Sequence, residues 1–339
     1  MVTRWIGPAA AGWSALYVVL GMLWTLGVPG FPFGEGDPTG PGRTSVLSGL
    51  TLEAGPPAVA AVGLGGLVLA LVRRGRLVAA LCWVYAVALA VVIPEGRVLV
   101  WVAYLPVFLV GAPFGYPPVS FTETVLTWLN LNQVLLIAGG LLFAGLALRT
   151  QRAARDACVR CGRPARAWTE QAARWGRWAA WVAFAVPLAY AVVRWAWVFH
   201  IPLAYTEEGV RELHANGLAT AGAGLATFAL VGGVLTLGLA RSWSERLGRW
   251  RIPRWLPLGL AGTVTALLLS LSSSLVRGWV GGSLRFDVGD ILTWVPLWAL
   301  ALGAATLGFY YRTRGACGRC GSPGDGAESG RRHGVCESR

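Results

Sequence analysis

Lysine is absent from this 339-residue chain: all 29 basic residues are arginine, set against 16 acidic residues and three histidines. Charge of either sign is scarce at 13%, while hydrophobic residues reach 55% and mean hydropathy is +0.57. A soluble globule carries about a quarter of its residues charged, so this composition belongs to a polytopic membrane protein. Catalytic signatures are lacking too. No glycine-rich nucleotide loop, H-E-x-x-H helix or G-x-S-x-G elbow occurs, and no paired acids lie within an apolar run. Those absences speak against a pump or a hydrolase and leave a transporter open.

What is there is a series of apolar runs near the length that crosses a bilayer core. They fall near 8–27, 52–72, 77–93, 125–148, 178–199, 218–240, 255–275 and 291–311, which predicts an all-α membrane protein of eight transmembrane helices. The arginines then sort by side. With the N-terminus cytoplasmic, inner segments hold Arg4, the "RRGR" loop at 73–76, eight Arg in 149–177, five in 241–254 and six in 312–339. Outer segments hold Arg43, Arg97, Arg211, Arg277 and Arg285, and Arg194 lies within a span. This is the positive-inside pattern, which places both termini in the cytoplasm and directs the basic charge to anionic lipid headgroups rather than to nucleic acid. The bilayer is therefore the expected partner, and the sequence names no protein partner. "VLVWVAYLPVFLV", 98–110, is short for a span and interrupted by Pro106, so it reads as a re-entrant or interfacial element on the outer face. The first span lacks an A-x-A-like cleavage site and reads as a retained anchor.

Matched fragments recur in one order. "GGLVLALVR" at 65–73 returns as "GGVLTLGLAR" at 232–241, "LTW" at 126–128 returns at 292–294, and "RT" at 149–150 returns at 312–313. They predict two fused parallel four-helix repeats, 1–166 and 167–323, followed by a disordered cytoplasmic tail, 324–339. Small residues at helical spacings, as in "GLGG" at 63–66 and "AGAGLAT" at 221–227, fit close helix packing in lipid. Trp24, Trp128, Trp178, Trp195, Trp255 and Trp294 sit at predicted span ends, as an interfacial belt requires.

Each repeat closes on a C-x-x-C-G turn, "CVRCGRP" at 158–164 and "CGRCGSP" at 317–323. Two thiolates on such a turn can approach one metal, so Cys158, Cys161, Cys317 and Cys320 form a candidate four-cysteine zinc set on the reducing cytoplasmic side. Against zinc, 155 residues separate the pairs rather than the usual ribbon spacing. Inert thiols are one alternative. A redox pair activated by Arg160, Arg163 and Arg319 is another, although no βαβ pattern surrounds either turn. Cys82 reads as a small core residue, and Cys336 falls in the tail.

Within the spans, Arg194 can snorkel to the headgroups or form an ion pair or anion site, with Glu207, Glu208, Asp287 or Asp290 as candidate partners. Asn130, Asn132 and Gln133 place amides at lipid depth, to bond neighbouring helices or to line a ligand cavity. "TEEGVRELHANG", 206–217, predicts a short outer helix capped by Thr206. His200 and His214 lie nearby without metal-ligand spacing.

The stretch "VGGVLTLGLARSWSERLGRWRIPRWLPLGLAG", 231–262, resembles multi-pass membrane proteins of high-GC actinobacteria for which no activity is established. The resemblance implies a bacterial plasma membrane and brings no catalytic residues. The leading functional expectation is a non-enzymatic, transporter-like bundle that handles a small molecule or lipid. A membrane-embedded thiol-redox or lipid-modifying enzyme is the alternative, followed by a membrane scaffold or sensor.

Overall fold

The computed structural model describes residues 2–38, 45–72, 75–96, 105, 113, 126–154, 167–241, 246–247, 250–287 and 290–313. Both cysteine turns, the 324–339 tail and, apart from Leu105, the 98–110 segment lie outside these residues. The described helices divide between two compact units. The first holds α1 (Val2–Thr25), α2 (Gly55–Leu71), α3 (Arg76–Val87) and α4 (Trp128–Ala153). The second holds α5 (Ala167–Val198), α6 (Glu207–Ala215), α7 (Leu218–Ala240), α8 (Trp255–Val280) and α9 (Val295–Arg312). Apart from a two-rung antiparallel ladder, Arg246–Leu247 against Trp250–Arg251, the described regular structure is helical.

Among the described residues, six segments are long and apolar enough to cross a membrane: Trp5–Thr25, Trp128–Ala153, Arg174–Val198, Leu218–Ala240, Trp255–Val280 and Leu292–Arg312. Gly55–Leu71 and Arg76–Val92 are shorter apolar helices. At 1.5 Å per residue, 17 residues span about 26 Å, slightly less than a typical hydrocarbon core. Large apolar side chains point away from the protein on these helices, among them Val68, Leu71, Leu235, Leu260 and Leu300. Such a surface is stable against lipid and would aggregate in water.

In the first unit the helices alternate in direction, as their contacts require. Ser14 and Gly21 of α1 meet Gly66 and Ala60 of α2, while Trp13 and Trp24 meet Gly139 and Trp128 of α4. Gly63 permits the α1–α2 approach: a Cβ there would fall 2.7 Å from the Val18 nitrogen. Lipid tails are as apolar as leucine, so packing of this kind rather than the hydrophobic effect joins the helices. α3 runs into a π turn, Ala88–Val92, closed by Ile93 N–H on the Ala88 carbonyl at 2.8 Å. Gly140 of α4 seats against Ala86 and Ala90 there. Arg76, Arg149 and Arg152 consequently share one end of the unit, and Glu95 lies at the other. Cys82 is fully buried in the core.

The second unit alternates in the same way. Arg194 and Pro187 of α5 meet Gly222 and Gly233 of α7, Gly176 meets Gly308 of α9, and Thr265 of α8 meets Gly303 of α9. Arg312 ends α9 by donating to the carbonyls of Leu239 and Arg241, both at 3.2 Å, where α7 stops. Arg254 likewise reaches the Thr313 carbonyl beyond α9. A cation at a helix C-terminus offsets the negative end of the backbone dipole. These arginines therefore close helices at the end opposite α6.

Several boundaries differ from the sequence expectation. α5 begins at Ala167 and α8 continues to Val280, past the predicted limits of 178 and 275. In α8 the serines that lower hydropathy stay helical by bonding their own backbone. Ser272 donates to the Leu268 carbonyl at 2.6 Å and Ser273 to that of Ser270 at 2.8 Å. Arg277 accordingly lies on α8 rather than in a loop, bound to Ser273 and Ser274 at 3.2 and 3.1 Å.

Candidate functional site

Tyr190, Arg194 and Trp197 are spaced i−4, i and i+3 on α5, so they share one face near its C-terminal end. α7 crosses that face with a glycine opposite the arginine. A Cβ on Gly222 would stand 3.1 Å from Arg194 Nη1 and 3.5 Å from its Cδ, so the missing side chain makes room for the guanidinium. Arg194 Cζ lies 4.7 Å from the Trp197 ring centroid and 5.2 Å from that of Tyr190. Cation–π attraction of this kind contributes about 1–2 kcal/mol when the cation is shielded from water. Among the described residues, Arg194 Nε is buried without a hydrogen-bond partner, and no carboxylate pairs with Arg194.

The wall formed by Trp197 is held from outside the helix. Its indole N–H donates to the Leu203 carbonyl at 2.9 Å, and its ring packs on Tyr205 at 5.0 Å. Its own carbonyl lies 2.8 Å from His214 Nε2. A carbonyl can only accept, so His214 donates from Nε2. His200 stacks on His214 at 3.8 Å with an interplanar angle of 13°. His200 and Ala204 hold positive φ, 60° and 55°, which turns the chain back over the end of α5. α6 then starts as its sequence dictates: Thr206 Oγ1 accepts from Gly209 N–H at 3.1 Å, with Glu207 and Glu208 in the first turn. A further tie joins α5 to α7, from the Trp195 indole to Thr227 Oγ1 at 3.0 Å.

Comparison with known proteins adds no template. No family model matches this chain, and no match is found among curated proteins or solved structures. The side-chain geometry therefore carries the functional reading.

In the first unit, α4 brings its amides inward. Asn132 and Gln133 are buried, as is Asn130. Tyr17 donates to Asn132 Oδ1 at 2.8 Å, and Gln133 Oε1 accepts from the Glu95 backbone N–H at 3.1 Å. Asn132 Nδ2 and the fully buried Ser14 Oγ have no partner among the described residues. Asn132 and Gln133 thus join α4 to α1 and to the chain following α3, while two buried polar groups keep spare hydrogen-bonding capacity.

Cys158, Cys161, Cys317 and Cys320 lie outside the described residues. Among the described residues, no three His, Cys, Asp or Glu side chains converge on a metal position. The stacked histidines face one another ring to ring. Imidazole lone pairs lie in the ring plane, so this arrangement does not direct both toward one ion. Sequence reasoning singled out Arg194, and Gly222 only within the small-residue stretch 221–227, but not Tyr190 or Trp197. The aromatic pair was visible as residues four before and three after an intramembrane arginine; Gly222 needed the pairing of α5 with α7.

Proposed function

We propose that the chain is a non-enzymatic, transporter-like bundle of the bacterial plasma membrane that handles an anionic small molecule or lipid at Arg194, between α5 and α7. One observation carries this reading. A guanidinium held inside an apolar helix pair, with Nε buried and no carboxylate beside it among the described residues, is costly unless an anion completes it. A snorkelling arginine instead extends its head into the headgroup layer.

The topology within this proposal is eight spans with cytoplasmic termini. It is supported by four alternating apolar helices in each unit and, within each unit taken by itself, by arginines gathered at the end where its first helix begins. Duplication of a four-span repeat and a cytoplasmic zinc clasp of Cys158, Cys161, Cys317 and Cys320 complete it, on the sequence pattern alone.

The test is thermal stabilisation of detergent-purified protein by a panel of anions: acetate, succinate, inorganic phosphate and phosphatidylglycerol. At least one should raise the melting temperature of the wild type and leave Arg194→Leu unmoved. A panel that stabilises both proteins equally, or neither, contradicts the proposal.

A further inference from the structure

We infer that the anion taken by Arg194 is a phosphate group, carried by an anionic phospholipid that reaches Arg194 from the bilayer. This inference rests on the anion reading above and goes further in naming the ligand chemistry.

Depth is the first argument. Arg194 lies four residues from the last residue of α5, Val198, so its Cα is about 6 Å below the helix end at 1.5 Å per residue. From about one helical turn below the helix end, a guanidinium held between α5 and α7 is within reach of a lipid headgroup at that end.

The surroundings are the second. Around this end of α5, Trp195, Phe199, Ile201, Tyr205 and Leu218 are between 43% and 68% exposed. Aromatic side chains in a collar of this sort mark the headgroup level of a membrane. Toward the middle of the helices from Arg194, Leu188 and Val192 of α5 and Phe228 and Val231 of α7 are between 39% and 53% exposed, so a ligand with an anionic head on the guanidinium and acyl chains running inward meets both surfaces; a free anion meets one.

Charge is the third. Glu207, Glu208 and Glu212, with Arg211 among them, are exposed on α6 at the same end and leave it net negative. Their negative potential opposes free anions arriving from water and acts less on a lipid arriving sideways through the membrane. Arginine also suits the headgroup, because its planar fork gives two parallel N–H donors to phosphate oxygens.

The experiment is native mass spectrometry of full-length protein, washed free of lipid in detergent and then offered dioleoylphosphatidylglycerol, dioleoylphosphatidylcholine, inorganic phosphate or laurate. The wild type should retain one phosphatidylglycerol per chain in preference to phosphatidylcholine. Arg194→Gln should lose that retention about tenfold, equivalent to about 1.4 kcal/mol, with Arg194→Lys intermediate. Helical circular dichroism and gel filtration establish that the variants fold. Gly222→Ala supplies a second variant, crowding the guanidinium from α7 while keeping the charge, and should weaken retention as well.

Equal retention of both lipids by the wild type and Arg194→Gln would overturn the inference, since the lipid would then be annular. Arg194-dependent binding of inorganic phosphate that displaces the lipid would support the phosphate chemistry and overturn the lipid source. Arg194-dependent binding of laurate alone would overturn phosphate and leave the anion reading standing. No Arg194-dependent binding by any probe would remove both.

Discussion

Tyr17 on α1 donates a 2.8 Å hydrogen bond to Oδ1 of Asn132 on α4, with both side chains buried between apolar helices. Removing one partner leaves the other unmatched in the core, whereas removing both exchanges a polar pair for apolar packing. Tyr17→Phe and Asn132→Leu should each destabilise the protein by about 1 kcal/mol, and the double variant should cost less than the sum. Equilibrium unfolding in mixed micelles measures the cycle. Simple additivity would mean that the two groups do not interact.

Gly63 seats α2 on α1, with room for no side chain beside the Val18 nitrogen. Gly63→Val should therefore cost about 1–3 kcal/mol through forced separation of the helices. Gly12, beside which a Cβ would meet nothing within 4 Å, tests the contrast. Gly12→Ala should leave unfolding unchanged. Equal effects of the two substitutions would show that helix contact does not govern stability here.

The apolar runs made the helices legible because length and hydropathy alone identify a segment that must satisfy its backbone bonds internally. Their ends were less legible. "SLSSSLVRGW" looks like the edge of a span by hydropathy, yet Ser272 and Ser273 bond the backbone of their own turns and the helix carries Arg277 with it. The site was half legible for a related reason. An arginine inside a span stands out in sequence, and aromatics at 190 and 197 follow from helical spacing, but the glycine opposite belongs to α7 and appears only once the helices pair. Likewise, Gln133 was visible as a polar residue in a span, while its partner, the Glu95 backbone, was set by tertiary packing.

Membrane orientation has its own check. Single cysteines replacing Arg76 and Arg254, in a background lacking the native cysteines, should be protected from a membrane-impermeant thiol reagent added to intact cells. Cysteines at Glu208 and Asp287 should be labelled. Labelling at position 76 would contradict cytoplasmic placement of the α2–α3 connection and with it the eight-span arrangement.

For the cysteine turns, metal content is the measurement. Protein purified under reducing conditions should contain one zinc per chain, absent from both Cys158→Ser and Cys317→Ser because each turn supplies half of a tetrahedral set. Zinc-free wild-type protein would contradict the clasp, and loss from only one variant would contradict a shared site.

Everything proposed about function turns on what lies against Arg194. An experimental density map of the protein reconstituted in phosphatidylglycerol nanodiscs tests that directly. The expected result is a headgroup density within about 3 Å of the Arg194 guanidinium nitrogens, the distance of a charge-assisted hydrogen bond, beside the Trp197 and Tyr190 rings and absent in Arg194→Leu. A guanidinium paired instead with a carboxylate of its own chain, such as Glu207, Glu208, Asp287 or Asp290, would contradict the account.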